Sequence, residues 1–296
     1  MATMTTLRQR VAYLGRYCIG RFGPTFSSRA ARRGLGEVQV VCFFVGHGRS
    51  GSSLVGALLN AHRHIVVSNE LNALRYLAAG LTAEQLYHLM RFDAARSARL
   101  GSQGGGGYRY AVDGQWQGRY EKLLVLGDRK AGGTAKLILE DPGILDLLRC
   151  RVGAEIKFVN VLRNPFDNIA TAVRKTRQQP GESRTQHILR QADDYFWRFG
   201  AIDKIRQMFG DGSLCHLHGE DLLADPATEI AELCRFLDVD CEPAYVDACS
   251  AILFKKPQQT RHLIEWDEEL IDRVQRGIAE QPLLAEHGYT FGTGAE

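Results

Sequence analysis

Residues 38–45, VQVVCFFV, form a continuous apolar run of β-branched and aromatic side chains, the pattern of a strand buried on both faces. A glycine-rich turn follows, and then SSLVGALLN, which puts Leu54, Val55, Leu58 and Leu59 at helical spacing. Strand, glycine turn and helix together open a parallel α/β domain. Further apolar runs predict strands at 64–67 (HIVV), 122–126 (KLLVL), 156–162 (IKFVNVL) and 214–218 (LCHLH). Between them, Ile188, Ala192, Phe196, Phe199 and Ile202 make one helical stripe across 185–209. Asp225 as cap and Pro226 as first residue predict a helix over 226–237. The glycine run Gly104 to Gly107 and the segment RQQPGES at 177–183 read as loops. The pattern predicts a central parallel sheet flanked by helices, a three-layer α/β sandwich, with no internal repeat.

The first turn, GHGRSGSS at 46–53, invites comparison with the Walker A pattern G-x-x-x-x-G-K-[ST]. Gly46 and Gly51 keep the spacing and Ser53 holds the Ser/Thr place, but Ser52 stands where the lysine would be. That lysine reaches the β- and γ-phosphates of a triphosphate, so its loss argues against triphosphate chemistry. What remains is a nest of backbone amides at a helix N-terminus, suited to a phosphate or phosphosulfate. Gly48, Arg49, Ser50, Gly51, Ser52 and Ser53 are its candidate contacts, and Arg49 could neutralise charge growing on a leaving oxygen. An ordinary βα loop is the plainer reading of the turn alone.

A second anion motif starts where the run IKFVNVL ends. Arg163 is followed by NPFDNIAT, in which Asn164, Pro165 and Asp167 suit the N-cap, N1 and N3 places of a helix. Open α/β sheets bind ligands outside the carboxyl ends of their strands, so Arg163 is expected where a ligand phosphate would lie, with Thr171 two turns into the helix.

Taken together, GHGRSGSS and RNPFDNIAT resemble the two nucleotide-binding signatures of the sulfotransferases that use 3′-phosphoadenosine 5′-phosphosulfate (PAPS). The resemblance extends to HGEDLLADPATEIAELCRFLDVD (218–240), GDRKAGG (127–133) and TRHLIEWDEEL (260–270), and spans residues 38–270. It implies a P-loop-like nucleotide-binding fold and sulfuryl transfer from PAPS. It also implies a 5′-phosphosulfate held by the first turn and a 3′-phosphate held by Arg163 and Thr171. Arg49 replaces the lysine of the cytosolic small-molecule enzymes, as in tyrosylprotein-type and several bacterial relatives. Those relatives carry a Glu after a His and a short strand. AHRHIVVSNE matches this with Glu70, although Arg63 replaces the usual Pro.

Sulfuryl transfer is an in-line displacement that asks the protein for position and charge. Arg49 is the candidate for leaving-group charge and Glu70 for general base, the plainer reading of Glu70 being a salt bridge to Arg49 or Arg75. Arg129 and Lys130 are candidates to contact the sulfate or the acceptor, the plainer reading of either being a solvated loop charge. Lys255, Lys256 and Arg261 are expected to close over the 3′-phosphate, as the basic C-terminal loop does in relatives, or else to form a surface basic run. His47 and His62 could act as acid or base, though a histidine beside such a loop is more often structural. No His/Cys cluster has metal-ligand spacing, and the reaction is expected to need no metal.

Composition narrows the partners. Net charge of +3 over 296 residues is too mild for nucleic acid. Seven cysteines with no C-x-x-C pair predict reduced thiols and a cytoplasmic setting. Residues 1–36 contain seven arginines and no acid, with Leu7, Val11, Leu14 and Cys18 on one helical face. This segment reads as a transit peptide, a basic helix on a membrane or a plain solvated helix, ahead of one domain at 37–296. The acceptor, whether carbohydrate, lipid, peptide or small alcohol, stays open, and its pocket is expected from 72–120 and 177–195. Two rivals remain. A P-loop phosphotransferase or nucleotide kinase would use Asp128 as its metal acid, and a catalytically inactive module would only bind the nucleotide.

Overall fold

The computed structural model of the chain describes residues 7–26, 35–99 and 110–292. Helix α1 (Leu7–Phe26) precedes the first strand, β1 (Val40–Val45), which turns into α2 (Ser52–Ala61). Then come β2 (Ile65–Ser68), α3 (Ala73–Ala78), α4 (Ala83–Arg99) and β3 (Val125–Asp128). Helices α5 (Ala131–Glu140) and α6 (Gly143–Arg151) lead to β4 (Glu155–Leu162), followed by α7 (Pro165–Lys175), α8 (Arg184–Trp197) and α9 (Phe199–Phe209). Strand β5 (Leu214–His218) runs into α10 (Gly219–Ala224), α11 (Pro226–Phe236), α12 (Pro243–Ser250), α13 (Glu268–Ala279) and α14 (Pro282–Ala285).

The five strands lie in the order β2-β3-β1-β4-β5, all parallel, as the buried apolar runs demand. Alternation along β1 feeds two cores. Val41, Phe43 and Val45 face one layer with Leu86 and Met90 of α4, Ile138 of α5 and Ile202 of α9. Val40, Cys42 and Phe44 face the other with Leu54 and Leu58 of α2, Leu233 of α11 and Tyr245 of α12. A third cluster joins α7, α8 and α13 through Phe166, Ile169, Ile188, Leu270 and Val274. Parallel order puts all five carboxyl ends at one edge, where Asp128 pairs with Phe43 and Ser68, and Leu162 with His218.

Two elements depart from the pattern of the sequence. The third strand lies at Val125–Asp128 instead of 122–126, because its pairing with Val40 and Ile65 begins at Val125 and carries a polar residue, Asp128, to the ladder's end. The helix expected over 185–209 is two helices, α8 and α9. Its stripe splits between two cores, Ile188, Ala192 and Phe199 in the third cluster and Ile202 beneath the sheet. Tight i→i+3 bonds at Arg198 (Arg198 N–H to the Tyr195 carbonyl, 3.3 Å; Ala201 N–H to the Arg198 carbonyl, 3.1 Å) mark the change of direction.

Helix α1 packs along α4. Tyr13 stacks on Tyr76 with ring centres 4.7 Å apart, and Arg16 pairs with Asp93 at 3.1 Å. Gly23 allows the close approach: a Cβ there would lie 2.2 Å from Nε2 of His88. Arg29, Arg32, Arg33 and the Gly104 to Gly107 run lie outside the described residues.

Candidate active site

At the end of β1 the chain turns through Gly46, whose φ of 100° is left-handed. A Cβ there would also sit 2.3 Å from Oδ1 of Asn160 in β4, so two constraints require glycine. Ser50 donates to the His47 carbonyl (3.0 Å) and tightens the turn. Gly51 occupies the N-cap of α2 at φ 103° and supplies no side-chain hydrogen bond, so no side chain competes with an anion for the first amides. Gly48 and Arg49 are exposed, Ser50 and Ser52 buried. Arg49 itself is left-handed (φ 69°), an unusual conformation for a residue with a side chain.

The histidines near this turn are structural. His47 is 3% exposed, its Nε2 lies 2.7 Å from the Tyr195 carbonyl oxygen, and its ring stacks on Tyr195. Burial pushes its pKa down to about 3, so it stays neutral. His62 is held by the Asp240 carbonyl through Nε2 (2.8 Å), and its Nδ1 accepts from the His64 amide (3.1 Å).

The ends of β2 and β3 form one unit around Asp128. Its carboxylate is fully buried and accepts from the Ser68 hydroxyl (2.8 Å) and the amides of Leu71 (3.0 Å) and Ala73 (2.7 Å). Its oxygens therefore organise the 69–73 turn, a different role from the metal acid of a kinase. Burial outweighs these hydrogen bonds and raises its pKa to about 6. In the turn it holds, Glu70 and Asn72 are both left-handed, at φ 55° and 63°. Glu70 projects to Lys130 (2.7 Å) and Arg129 (3.8 Å), the partners it takes in place of Arg49 or Arg75 as direct contacts. Burial alone would raise the Glu70 pKa. The Lys130 hydrogen bond and the charges of Lys130, Arg129 and Arg49 outweigh it, and the carboxyl is held below its usual range.

Arg129 is 3% exposed and reaches across α2, donating to Ser53 Oγ (2.6 Å) and to Asn69 Oδ1. It passes over Gly56, where a Cβ would meet its Cδ at 2.6 Å. Arg129 thus ties the first turn to the Glu70 turn, while Lys130 is the partly exposed cation of the pair.

At the end of β4, Asn164 caps α7 by accepting from the Phe166 amide (3.0 Å), with Pro165 in the first turn. Arg163 and Thr171 come together at 3.5 Å, and Thr260 joins them, 2.8 Å from Thr171 and 3.3 Å from Arg163. Arg163 also donates to the Gln258 carbonyl. Arg261 corrects the expectation placed on it. It is 2% exposed and gives its backbone amide (2.8 Å), Nε (3.1 Å) and Nη2 (2.7 Å) to Asp167. Its Nη1 holds the carbonyls of Thr290 and Phe291. It clamps the C-terminal segment to α7, because burial of Asp167 demands a paired cation. Lys255 and Lys256 are exposed on the irregular segment after α12.

Sequence reasoning missed four residues: Asn69, Thr260, Asn160 and Glu220. Glu220 accepts from the Asn164 amide (2.9 Å) at the mouth of the second motif. Asn160 Oδ1 is buried beneath Gly46 with no partner. Asn160 left a signal as a polar residue inside the apolar run IKFVNVL, and Asn69, Thr260 and Glu220 lie within segments of the resemblance that gave them no role. Beside the second turn, where His218 pairs with Leu162, one group of possible metal ligands gathers among the described residues: His218, Asp221 and His287, their ligand atoms within 4.8 Å. His218 and Asp221 stand three residues apart in the sequence, and only the fold brings His287 to them. The acceptor region expected at 72–120 includes 100–109, which lie outside the described residues.

Residues 150–243, which contain Arg163, Thr171 and Glu220, match the model of the sulfotransferase family. No curated protein matches the sequence. Among solved structures, the chain is similar to the sulfotransferase STF1 from Mycobacterium tuberculosis H37Rv. That match has a TM-score of 0.51 and 11% identity, covering 93% of this chain and 86% of that one. It supports the same α/β fold. Similarity also extends to the sulfotransferase domain of the Synechococcus PCC 7002 olefin synthase (TM-score 0.47, 17% identity, 81% of this chain and 88% of that one). A third match is mouse sulfotransferase SULT7A1 complexed with PAP (TM-score 0.49, 10% identity, 89% and 96%).

Proposed function

We propose that this protein, a member of the sulfotransferase family, takes its sulfuryl group from PAPS. The acceptor supplies a hydroxyl or amine, and 3′-phosphoadenosine 5′-phosphate is released. One observation carries the reading. Neighbouring parallel strands, β1 and β4, end in two anion turns, one without the triphosphate lysine and the other pairing Arg163 with Thr171. A nucleotide charged at both its 5′ and 3′ positions fits two such turns better than a triphosphate does.

In this reading the amides of Gly51 to Ser53 hold the phosphosulfate, and Arg163 and Thr171, supported by Thr260, hold the 3′-phosphate. Lys255 and Lys256 add positive charge. Glu70, kept ionised by Lys130 and Arg129, accepts the acceptor's proton as its oxygen or nitrogen bonds to sulfur. The sulfur–oxygen bond to the 5′-phosphate breaks, and Arg49 meets the charge left on that oxygen. In the same reading Arg129 holds the two turns together and Lys130 contacts the sulfate. With these cations present we expect turnover to survive a metal chelator. The seven free cysteines suit a reducing compartment such as the cytoplasm.

Calorimetric titration with 3′-phosphoadenosine 5′-phosphate, against ATP with Mg²⁺, tests the reading in the wild type and in Arg163→Ala. The bisphosphate is expected to bind in preference to ATP, and the substitution to weaken it about 10–100-fold, the loss of a charge-assisted hydrogen bond. Preference for ATP, or an indifferent Arg163→Ala, would sink the proposal and revive the kinase alternative.

A further inference from the structure

The two faces of α1 have different fates. Its inner face is fastened to the domain by Tyr13 on Tyr76, by the Arg16–Asp93 pair, and by Gln85 donating to the Arg21 carbonyl (3.0 Å). Its outer face carries Val11, Leu14, Cys18 and Phe22, spaced 3, 4 and 4 along the helix and therefore in one line. All four are exposed, with Val11 at 61%, Leu14 at 58% and Phe22 at 57%. The fold does not need these side chains, because α1 is already docked through the opposite side. Arg10 and Arg21 are exposed beside the stripe, and residues 1–36 contain no acid.

We propose that this outer face docks on an anionic lipid bilayer, its apolar stripe entering the headgroup boundary and its arginines meeting lipid phosphates. A second copy of the chain would bring the same arginines against one another, so self-association is disfavoured by like charge. An anionic surface complements them. No helix of the described residues is long and apolar enough to cross a membrane.

The docked helix lies on a short route to the candidate base. Arg16 pairs with one oxygen of Asp93 (3.1 Å), and the other oxygen of Asp93 accepts from the Asn69 amide (3.0 Å), next to Glu70. An acceptor presented at a membrane would meet a catalytic turn braced against the same helix that holds the surface.

Vesicle co-sedimentation tests the docking without reference to catalysis, so it can fail while the sulfotransferase reading stands. The full chain is mixed with phosphatidylcholine vesicles, with and without phosphatidylserine, at low and high salt. Binding is expected only with phosphatidylserine and to fall with salt. Arg10→Glu/Arg21→Glu should weaken it at least about thirtyfold, from the contribution of each basic residue near such a surface. Val11→Asp/Leu14→Asp/Phe22→Asp should abolish it with an unchanged melting curve, since these side chains have no role in the core. Failure to bind phosphatidylserine vesicles, or binding indifferent to the triple substitution, overturns the proposal. So does a concentration-dependent dimer in sedimentation that the triple substitution dissolves, because the stripe would then belong to a second copy.

Discussion

Glu70 sits at φ 55°, with Arg49 at 69° and Asn72 at 63°, so three residues with side chains hold left-handed backbone around one small volume. Such conformations persist only where surroundings over-determine them. The Asp128 carboxylate, accepting from the Leu71 and Ala73 amides, holds the turn of Glu70 and Asn72, and the Ser50 hydroxyl, donating to the His47 carbonyl, tightens the turn of Arg49. If Glu70 is the base, Glu70→Gln lowers kcat by ~10²–10⁴ while calorimetric affinity for the bisphosphate holds. Retained turnover would leave Glu70 as a tether for Lys130. The environment of Glu70 supplies a second expectation. Lys130 and its neighbours lower the carboxyl's pKa against the opposing effect of burial. Lys130→Ala should therefore raise it and move the acid limb of the rate–pH profile to higher pH, because a base works only when ionised. A profile that stays in place would separate Lys130 from the titrating group.

At the scale of elements, α7 carries the second motif on one end and a buried ion pair on its flank. Asp167 is fully buried and Arg261 is 2% exposed, so removing one partner strands the other charge. Arg261→Ala is expected to cost about 3–5 kcal/mol in urea unfolding. It should also weaken bisphosphate binding, since Thr260 beside it braces Arg163 and Thr171. Loss of stability with binding intact would show that the clamp serves only the C-terminal segment. Helix α2 sets a similar condition through Gly56, over which Arg129 lies. Gly56→Ala should displace Arg129 from Ser53 and reduce turnover, even though alanine favours helix by itself.

Across the whole molecule, stability carries pH terms of opposite sign. Burial lowers the pKa of His47 to about 3 and of His216 and His218 to about 4. Their neutral forms favour the fold fully above the unfolded value near 6.5, and that stability is lost as pH falls towards 4. Asp128 acts the other way. Its folded pKa is raised from 3.8 to about 6, so its stability term is fully present below 3.8 and is lost as pH rises through about 6. Urea midpoints should fall from pH 7 to pH 5 because the histidines outnumber it. The fall should be steeper in Asp128→Asn, which lacks the opposing term. An equal slope in both proteins would remove Asp128 from the balance. Much of this architecture was legible in the chain. Continuous apolar runs followed by glycine and Asn-Pro turns specify parallel strands, because strands covered by helices on both faces carry mostly apolar side chains. The capping of α7 by Asn164 and Pro165 was local as well. What the chain could not show is which charges meet. Arg261 and Asp167 are 94 residues apart, Glu70 and Lys130 are 60 apart, and Arg16 and Asp93 lie on separate helices. Local propensity and periodicity determine elements and their ends. The pairing of buried or crowded charges depends on which ends the sheet order brings side by side, and tertiary packing alone decided that.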